Sequence, residues 1–464
     1  MAVLDWLGEY SPRISVPSSN IQVLNYPNDF YSMIKKLMWT SHKRITLAAL
    51  YVEQGELEEE LVSTLRNTLA TADERFQVRI LLDALRGSRG GEKSSTALLQ
   101  DLVDEYSGND RFQVHLYHTP DLRGMLKKVL PERFDESIGV QHMKLYIFDD
   151  TLLISGANLS ESYFTNRQDR YIVINDCPLL ADFYANIVDA VARSCFTLEK
   201  GGKIVLHEQC HVHPYLGDHD AYCKMIRERV NGVVDTFKEN LSDTPNTDSE
   251  TVIYPLVQMA PIGIDIEDRV LHRFFASNFD DMPNASVYLA TGYFNLTSDY
   301  SSVIVNRGSY NLTVVSASPL ANDFYACDGF TGDVPALYTH SSRKFYDQIA
   351  KKGRSDNISL YEYAREGWTF HAKGLWWDSD PADPDAICAT FVGSSNYGYR
   401  SAYRDLEAQV VIVTRNAKLR EQLTLERGKL FQHASEVTLA TFQRVDHHVA
   451  CWIRVIYKCI RSFF

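Results

Sequence analysis

Short hydrophobic runs recur along the chain in two sets that follow the same order. The runs are rich in β-branched and aromatic side chains, a composition typical of buried strands. The stretches between them, such as residues 57–69 and 265–278, instead place apolar residues at helical spacing. This pattern predicts an α/β fold built from two similar halves. The paired runs are residues 45–51 and 287–293, 78–83 and 312–316, and 112–117 and 358–363.

A polar, turn-forming segment at residues 241–250 separates the two sets of runs. The chain has 464 residues, of which 45% are hydrophobic, and this is enough for more than one buried core. We therefore predict four parts of the chain. They are a first half at 1–205, a connecting helix and polar linker at 206–250, a second half at 251–445 and a basic amphipathic C-terminal helix at 446–464.

Each half contains the same polar residue types at the same spacing. A histidine is followed by a lysine two positions later, and an aspartate comes five positions after the lysine. On a strand, residues two apart point to one face, so each histidine and lysine emerge side by side. The two copies are His142, Lys144 and Asp149 in the first half and His371, Lys373 and Asp378 in the second half.

An asparagine and an acidic residue follow each copy. Asn158 precedes Asp169 by 11 residues, and Asn396 precedes Glu407 by 11 residues as well. Ser394 lies two positions before Asn396 and joins the candidate site. Repetition of the asparagine-to-acid spacing indicates that one site is built from two halves, because chance rarely repeats several spacings together.

The segment after the first histidine has the pattern of a hairpin. Residues 145–148 predict a strand, Asp149 begins a tight turn, and residues 152–154 predict the returning strand. In the second copy a longer polar loop, residues 379–385, replaces the turn. We count Asp149 and Asp378 among the catalytic residues as members of the two motifs, although their positions at strand ends suit a turn or backbone role better than proton transfer.

These residue types suit displacement at phosphorus. An imidazole is a nucleophile and proton carrier near neutral pH, so one histidine can attack phosphorus while the other protonates the leaving oxygen. The lysines and asparagine amides supply positive charge and donors where a phosphodiester gains negative charge. Asp169 and Glu407 are placed to fix the histidine tautomers. We expect this chemistry to need no metal ion and no other cofactor.

The paired H-x-K-x(4)-D motifs resemble those of the phospholipase D superfamily. Within it, the run GVQHMKLYIFDDTLLISGANLSESYFTNRQDRYIVI is similar to the eukaryotic-type phosphatidylglycerophosphate synthases, and the similarity extends through LRGMLKKVLPERF, LATGYFNLTSDYS and RSFF. The resemblance implies two phospholipase D-like α/β sandwich halves related by pseudo-twofold symmetry, with the active site between them. One departure is SGAN at residues 155–158, where the superfamily has Gly-Ser-x-Asn, as residues 393–396 do.

The resemblance also implies an activity. It is the transfer of a phosphatidyl group from CDP-diacylglycerol to glycerol 3-phosphate, giving CMP and phosphatidylglycerophosphate, a step toward phosphatidylglycerol and cardiolipin. In the family's usual order, His142 forms a phosphatidyl-histidine, while His371 protonates departing CMP and then deprotonates the acceptor. A cardiolipin synthase or a hydrolytic phospholipase D would share the site but use another acceptor. A silent lipid-binding scaffold is the alternative outside enzymes, and the two intact motifs count against it.

Charge and cysteine content exclude some classes of protein. The net charge of −13 argues against a nonspecific nucleic-acid binder, because neutralising phosphates requires a basic surface. Eight cysteines without a C-x-x-C pair favour a reducing compartment over a disulfide framework. His207, Cys210, His211 and His213 could ligate a metal, but a surface cluster is favoured because the usual paired spacing is absent.

Several basic residues are candidates for binding nucleotide or acceptor phosphate. The glycine-rich stretch at 86–95 could wrap phosphate with backbone amides, although its spacing is not that of a Walker loop and a flexible surface turn is an equal alternative. Four arginines flank the asparagine-to-acid segments, where surface ion pairing is the alternative. The candidates are Arg86, Arg89 and Lys93 in the stretch, and Arg167, Arg170, Arg400 and Arg404 beside those segments.

The chain contains no uninterrupted run of the roughly 18 apolar residues expected of a spanning helix, so we expect any membrane attachment to be peripheral. Residues 452–464 lack acidic side chains and place apolar and cationic residues on separate helical faces. This pattern predicts either contact with an anionic membrane or packing against the body of the protein. Residues 122–130 mix apolar and cationic residues and have the same two alternatives.

Targeting information is sparse at the start of the chain. Residues 1–19 carry Asp5 and Glu9 with Arg13 as the one basic residue, unlike an arginine-rich, acid-poor presequence. The resemblance implies association with the mitochondrial inner membrane. Whether a presequence has been removed stays open from the sequence.

Overall fold

The strands of this computed structural model form two large sheets and one small sheet. The structure describes residues 2–464 except 243–248, 278, 280, 281, 326, 328 and 384. Over these residues each large sheet has nine strands and the small one has two. The strands are β1 Ile14–Ser15, β2 Ile21–Leu24, β3 Arg44–Ala48, β4 Gln77–Asp83, β5 Phe112–Tyr117, β6 Leu145–Phe148, β7 Thr151–Ser155, β8 Arg167–Gln168, β9 Tyr171–Ile174, β10 Phe196–Glu199, β11 Lys203–Leu206, β12 Thr251–Met259, β13 Ser286–Thr291, β14 Asn311–Ala317, β15 Ile358–Tyr363, β16 Thr369–Phe370, β17 Gly374–Asp378, β18 Cys388–Gly393, β19 Leu406–Thr414 and β20 Ala434–Glu436.

Helices alternate with the strands, and most of them bury an apolar face against the rest of the protein. In the helix predicted at 57–69, for example, Leu61, Leu65 and Leu69 recur every four residues and are buried. The helices are α1 Pro27–Trp39, α2 Glu56–Thr71, α3 Ala84–Ser88, α4 Ser95–Glu105, α5 Gly124–Val129, α6 Glu132–Asp135, α7 Glu161–Thr165, α8 Pro178–Ala192, α9 His219–Ser242, α10 Ile266–Phe275, α11 Ser298–Asn306, α12 Val334–Lys351, α13 Tyr399–Tyr403, α14 Ala417–Phe431 and α15 Cys451–Ile460.

The two large sheets repeat one strand order. The first sheet runs β11-β10-β5-β4-β3-β6-β7-β9-β2, and the second runs β1-β12-β19-β18-β17-β13-β14-β15-β20. The series β5-β4-β3-β6-β7-β9 therefore matches β15-β14-β13-β17-β18-β19. In both series three parallel strands are followed by an antiparallel hairpin. The prediction of an α/β fold with two similar halves is confirmed.

The strands nearest the site are buried along their whole length. All residues of β6, β9, β17 and β18 are buried. Strands covered on both faces need apolar residues at successive positions, which explains why these segments read as continuous hydrophobic runs. The predicted hairpin is present as β6 and β7, and Asp149 makes the turn with φ of 50°.

The two halves share a hydrophobic core. Ile154 and Ile172 of the first sheet belong to the same buried cluster as Val410 and Phe391 of the second. Tyr184, on α8, donates its hydroxyl proton to the carbonyl of Gln409 at 2.6 Å. The small sheet also joins the halves, because β8 pairs with β16 in parallel. The site between the halves therefore rests on continuous packing.

The N-terminal segment does not belong wholly to the first half, which was predicted to span residues 1–205. Strand β1 pairs antiparallel with β12 of the second sheet, with Ile14 opposite Ile253. Ile14 of this strand is buried in the shared core, and this burial of apolar surface stabilises the pairing of the N-terminal segment with the second half. Residues 243–248 of the predicted linker lie outside the described part of the chain.

The C-terminal helix α15 packs on the body of the protein with part of its apolar face. Ile453 and Tyr457 are buried in a cluster with Leu337 of α12. Tyr457 also donates its hydroxyl proton to Oγ of Ser341 at 3.0 Å. Trp452 and Val455 are exposed. In the described part of the chain, no helix combines the length and apolar character required to cross a bilayer.

Candidate active site

The first histidine is held at the junction of the halves. The backbone N–H of His142 donates to the carbonyl of Leu406 at 2.9 Å, and the N–H of Leu406 donates to the carbonyl of Val140 at 2.9 Å. This backbone pairing places the His142 ring beside Glu407, whose Oε2 lies 2.9 Å from Nδ1. Ser401 donates its hydroxyl proton to the other carboxylate oxygen at 2.7 Å. Glu407 is therefore oriented from one side and orients His142 on the other.

The second histidine has the mirrored arrangement. The backbone N–H of His371 donates to the carbonyl of Gln168 at 2.8 Å, where β8 and β16 meet. Nδ1 of His371 lies 2.6 Å from Oδ2 of Asp169. The backbone N–H of Arg170 donates to Oδ1 of Asp169 at 2.8 Å. Each acidic residue thus belongs to one half and orients the histidine of the other.

The two contacts fix the same tautomer in both rings. A carboxylate accepts a hydrogen bond, so the proton on each neutral imidazole sits on Nδ1, and Nε2 carries the lone pair. Burial lowers the pKa of His142 despite the neighbouring Glu407, and burial together with Lys373 lowers that of His371 further. Both rings are therefore neutral at pH 7 in the protein without substrate. This is the state in which Nε2 can attack phosphorus.

The two lysines are fully buried beside the histidines. Nζ of Lys144 donates to the carbonyl of His142, and Nζ of Lys373 donates to the carbonyl of His371, both at 2.8 Å. Burial lowers the pKa of both amines, that of Lys373 to about 8. Lys373 therefore keeps its positive charge at pH 7 beside the His371 ring, where little water screens it.

The two acidic residues respond differently to burial. Burial raises the pKa of Asp169 to about 6, although Lys373 opposes this shift. Burial acts in the same direction on Glu407, but the His142 ring and Lys144 outweigh it and lower the pKa of that carboxyl. Glu407 is therefore ionised throughout the neutral range. Asp169 is poised to lose its charge in mild acid.

The histidines differ in their access to a cavity of about 740 Å³ between the halves. His142 lines this cavity, together with Asn396, Arg400 and Arg89. His371 is 3% exposed, and Nε2 lies 3.2 Å from the hydroxyl of Tyr163. The apolar wall of the cavity comes from separate parts of the chain. It includes Leu126, Leu130, Phe134, Ile460, Phe463 and Phe464.

The two asparagines are not used alike. Asn396 lines the cavity, and its Oδ1 is buried without a partner among the described residues. Asn158 instead donates from Nδ2 to the hydroxyl of Tyr163 at 3.3 Å and accepts from the N–H of Leu50 at 3.4 Å. Ser394 accepts from the N–H of Ala408 at 3.1 Å and so holds β18 to β19. Asn396 is the better placed of the three to meet a substrate.

The aspartates of the two motifs serve the strands and not the reacting atoms. Asp149 accepts hydrogen bonds from the backbone N–H groups of residues 42–44 at 2.7–2.9 Å. Asp378 forms an ion pair with Arg427 at 2.7 Å. Both lie at the far end of their strands from the histidines, as the turn or backbone role required. Counting Asp149 and Asp378 among the catalytic residues is therefore corrected.

Arg170 does not hold an acceptor phosphate. Its guanidinium is fully buried, binds Glu426 at 2.8 and 2.9 Å, and stacks over the ring of Trp376 at 3.7 Å. It also donates to the carbonyl of Phe391 at 2.8 Å. Its donors are thus used to join the first half to the second. The expectation of phosphate binding by Arg170 is corrected to a structural role.

The other basic candidates divide by their position. Arg89 and Arg400 line the cavity, where Arg89 pairs with Glu136 and Arg400 with Asp405 at 3.1 Å. Arg404 donates to the carbonyl of Ser462 at 2.7 Å. The remaining three have different surroundings. Arg167 pairs with Asp323 at 2.9 Å, Arg86 stacks over Tyr51 at 4.1 Å, and Lys93 is exposed.

The glycine-rich stretch is mostly helical. Its residues form α3, a short 3-10 helix at Gly91–Lys93 and the start of α4. Asp83 caps α3 by accepting from the N–H groups of Leu85 and Arg86, both at 2.9 Å. The stretch therefore contributes Arg89 to the cavity, and the expected cradle of backbone amides is replaced by helix caps.

Sequence reasoning did not find Tyr163 and Ser401. The hydroxyl of Tyr163 covers Nε2 of His371, and Ser401 fixes Glu407. The two residues are of different types, and both contacts depend on how a short helix follows the asparagine. A signal available in the sequence was position, because each residue lies five positions after the asparagine of its own half.

One group within the described residues has donor atoms close enough for a metal ion. Ligand atoms of His142, Asp405 and Glu407 all lie within 4.8 Å of one another. Glu407 already binds His142, and Asp405 accepts from the N–H of Val140 at 3.0 Å. The group suits a hard cation by its oxygen atoms. In the cluster singled out from the sequence, the thiol of Cys210 instead donates to the carbonyls of Ser194 and Val212.

The sequence and fold are similar to those of known proteins. No protein-family model matches the chain. A solved structure, phosphatidylserine synthase from Haemophilus influenzae, shares the fold with a TM-score of 0.72 at 19% identity and covers 99% of this chain and 98% of its own.

Curated relatives are similar over almost the entire chain. The mitochondrial CDP-diacylglycerol–glycerol-3-phosphate 3-phosphatidyltransferase of Gallus gallus is 39% identical over 490 aligned residues, which cover 99% of this chain and 86% of the relative. The enzyme of that name from Homo sapiens is 40% identical and covers 99% and 85%. A relative from Saccharomyces pastorianus is 31% identical and covers 94% and 87%. The chain belongs to the CDP-diacylglycerol–glycerol-3-phosphate 3-phosphatidyltransferase family.

Proposed function

We propose that the chain transfers a phosphatidyl group from CDP-diacylglycerol to glycerol 3-phosphate through a phosphatidyl-histidine intermediate. The observation that carries this proposal is the exchange of acids between the halves. Glu407 orients His142 at 2.9 Å and Asp169 orients His371 at 2.6 Å, so two prepared imidazoles share one site. The names of the relatives supply the donor and the acceptor.

In the first step, Nε2 of His142 attacks the phosphorus that bears the diacylglycerol. A nitrogen–phosphorus bond forms, and the bond from that phosphorus to the CMP oxygen breaks. His371, which takes up a proton on Nε2 when the negatively charged donor binds, donates that proton to the departing CMP. The negative charge of Glu407 stabilises the His142 ring as it becomes cationic, and Lys144 and Lys373 stabilise the oxygens of the phosphoryl group.

In the second step, His371 removes the proton from a hydroxyl of glycerol 3-phosphate. The hydroxyl oxygen attacks the phosphorus, the bond to Nε2 of His142 breaks, and phosphatidylglycerophosphate leaves. The assignment of His142 as nucleophile is supported by its place on the cavity wall. The charge of Asp169, 2.6 Å away, stabilises the protonated form of His371 that begins the first step and is formed again in the second.

The cavity has both the polar and the apolar lining that a phospholipid substrate requires. Its volume of about 740 Å³ lies within the usual range of roughly 300–1,000 Å³ for small-molecule sites. The polar part of the lining, which includes His142, Asn396 and Arg400, suits the phosphates of the donor. Arg89 and Arg400 are the candidates for binding the phosphate of the acceptor. The apolar wall formed with Phe463 suits part of the acyl chains.

We also propose peripheral attachment to the mitochondrial inner membrane. The relatives from Gallus gallus and Homo sapiens are named as mitochondrial, and a mitochondrial location is what family membership favours here. On α15, Trp452 and Val455 are exposed beside Arg454 and Lys458, which are exposed too. This outer face of α15 suits contact with anionic lipid. Its inner face is already used in packing.

One labelled-substrate assay distinguishes the proposed reaction from its alternatives. With CDP-diacylglycerol labelled in its glycerol-linked phosphate, we expect labelled phosphatidylglycerophosphate when glycerol 3-phosphate is present. Phosphatidate in the absence of an acceptor would indicate a hydrolytic phospholipase D. Cardiolipin formed from phosphatidylglycerol would indicate a cardiolipin synthase, and no turnover of any kind would indicate a lipid-binding scaffold.

The covalent step is tested by the same label on the protein. His142→Ala and His371→Ala should each lower turnover by at least about 10²-fold, because a nucleophile or proton carrier typically contributes that much. Label bound to histidine should survive in base and be released at low pH, because the phosphorus–nitrogen bond of phosphohistidine is acid-labile. Near-normal turnover by correctly folded His142→Ala protein would overturn the covalent mechanism.

A further inference from the structure

Helix α5 carries apolar side chains that the body of the protein leaves uncovered. Met125 is 72% exposed and Val129 is 69% exposed, and Lys128 between them is exposed as well. We call these three residues the α5 surface. No residue of α5 is buried, whereas other helices here bury an apolar face. Exposed apolar residues grouped on one element mark a contact with another molecule or with a membrane.

The α5 surface is continuous with the wall of the cavity. Leu126, on the same helix, lines the cavity, and Leu130 and Phe134 continue that wall along the chain. Leu126 and Phe134 are 42% and 40% exposed, so they face both the cavity and the outside. An apolar path therefore runs from the α5 surface to the cavity that contains His142.

The charge near the α5 surface favours an anionic lipid over other occupants. The chain has a net charge of −13, yet residues 122–131 contain three basic residues and no acidic one. Lys127 is anchored by its contact with Nε2 of His118 at 2.9 Å, and its neighbour Lys128 points its charge to solvent. Apolar side chains between cations are the pattern of segments that lie in the headgroup region of a bilayer.

We propose that the α5 surface inserts into an anionic bilayer and brings the apolar end of the cavity to the membrane. This inference rests on the proposed function, because a donor with two acyl chains must enter the cavity from a bilayer. The surface is distinct from the outer face of α15. Ile460, the last residue of α15, lines the same cavity as Leu126 of α5. Helices α5 and α15 would therefore contact the membrane around one opening of the cavity.

Vesicle flotation tests the proposal. The double substitution Met125→Asp and Val129→Asp removes the apolar contacts, and Leu216→Asp with Val445→Asp is the matched control, since these residues are 74% and 94% exposed elsewhere. We expect the wild-type protein and the control to bind vesicles of phosphatidylcholine with an anionic phospholipid. Binding by the α5 double variant should be weaker by about 10-fold or more. Added salt should weaken binding of the wild type.

A second readout separates this inference from the proposed function. Turnover of a detergent-dispersed, short-chain CDP-diacylglycerol with glycerol 3-phosphate should be equal in the wild type and the α5 double variant, and this also shows that the variant is folded. If that reaction failed in the wild type, the proposed function would fall while flotation still tested the surface. Equal vesicle binding by the variant and the control would overturn the inference. The inference would also be overturned if the wild-type protein did not bind vesicles and instead self-associated through α5.

Discussion

Oδ2 of Asp169 lies 2.6 Å from Nδ1 of His371, although the two residues come from different halves of the chain. The reciprocal contact joins Glu407 to His142. The acid that follows each motif by sequence therefore acts on the other motif. In the proposed mechanism, each step depends on residues from both halves.

Exchange of acids gives separable effects for Asp169→Asn and Glu407→Gln. Each should lower turnover by about 10²-fold or more, because an amide stabilises neither the tautomer nor the imidazolium. Glu407→Gln should slow the appearance of label on the protein, since it acts on the proposed nucleophile. Asp169→Asn should slow the loss of label from the protein as well as its appearance, since it acts on the ring that protonates CMP and then activates the acceptor. Rapid-quench measurements that show the reverse pattern would contradict the assignment of the two histidines.

The pH dependence of kcat/KM should be bell-shaped and narrow. Burial raises the pKa of Asp169 to about 6, so activity should fall as pH decreases through 6 and this carboxylate is protonated. Burial lowers the pKa of Lys373 to about 8, so activity should fall as pH increases through 8 and the amine loses its charge. Glu407, with a lowered pKa, stays ionised between these limits. Activity that persists to pH 10 would exclude a requirement for charged Lys373.

Gly156 is required by a close approach of side chains. A Cβ atom at this position would lie 2.8 Å from Oδ1 of Asp169 and 2.8 Å from Cδ of Lys373. Gly156→Ala should displace both and lower turnover by about 10²-fold, the effect of a misplacement near 1 Å. Gly232→Ala on α9 is the control, because its added Cβ would meet no atom within 4 Å apart from its chain neighbours and the backbone of its own helix. Comparable kinetics for the two variants would show that the site adapts to the methyl group.

Arg170 should matter for stability and not for acceptor binding. Its guanidinium and Glu426 are both buried, so Arg170→Met leaves an unpaired carboxylate and should lower the free energy of unfolding by about 3–5 kcal/mol. Urea unfolding measures this loss. Adding Glu426→Gln to the variant should recover part of it. At a temperature where the variant is folded, KM for glycerol 3-phosphate should be unchanged, and a large increase would restore the phosphate-binding hypothesis.

Chelation tests the expectation that the chemistry needs no metal. Turnover of a detergent-dispersed substrate should continue in EDTA, because Lys373 already supplies positive charge at the site. Loss of turnover in EDTA that is reversed by a divalent cation would assign a metal to the group formed by His142, Asp405 and Glu407. A nonionic detergent is used so that binding of the cation to anionic lipid headgroups does not affect the measured rate.

The repeated spacing was enough to predict the two halves and the histidine and lysine pairs. It also indicated a supporting role for Asp169 and Glu407, since both follow an asparagine at the same distance. It could not show that the acids are exchanged. That depends on the pairing of His142 with Leu406 and of His371 with Gln168, contacts between residues more than 200 positions apart.

Arginine roles were the least predictable part of the site. Arg167 and Arg170 flank the same acid in the sequence, yet one stacks on Tyr163 at 4.4 Å and the other is enclosed by Trp376 and Glu426. Their surroundings are set by how the sheets pack and not by local pattern. The C-terminal helix illustrates the same limit. Its amphipathic pattern was correct, but the pattern could not say that Ile453 and Tyr457 pack on α12.

The exchanged acids constrain how the two repeats can evolve. After a gene duplication, one copy is usually free to lose its activity while the other preserves it. Here a substitution at Asp169 would damage the histidine of the later repeat, and one at Glu407 would damage that of the earlier repeat. Neither repeat can therefore degenerate alone, and selection must act on both as a single inherited unit.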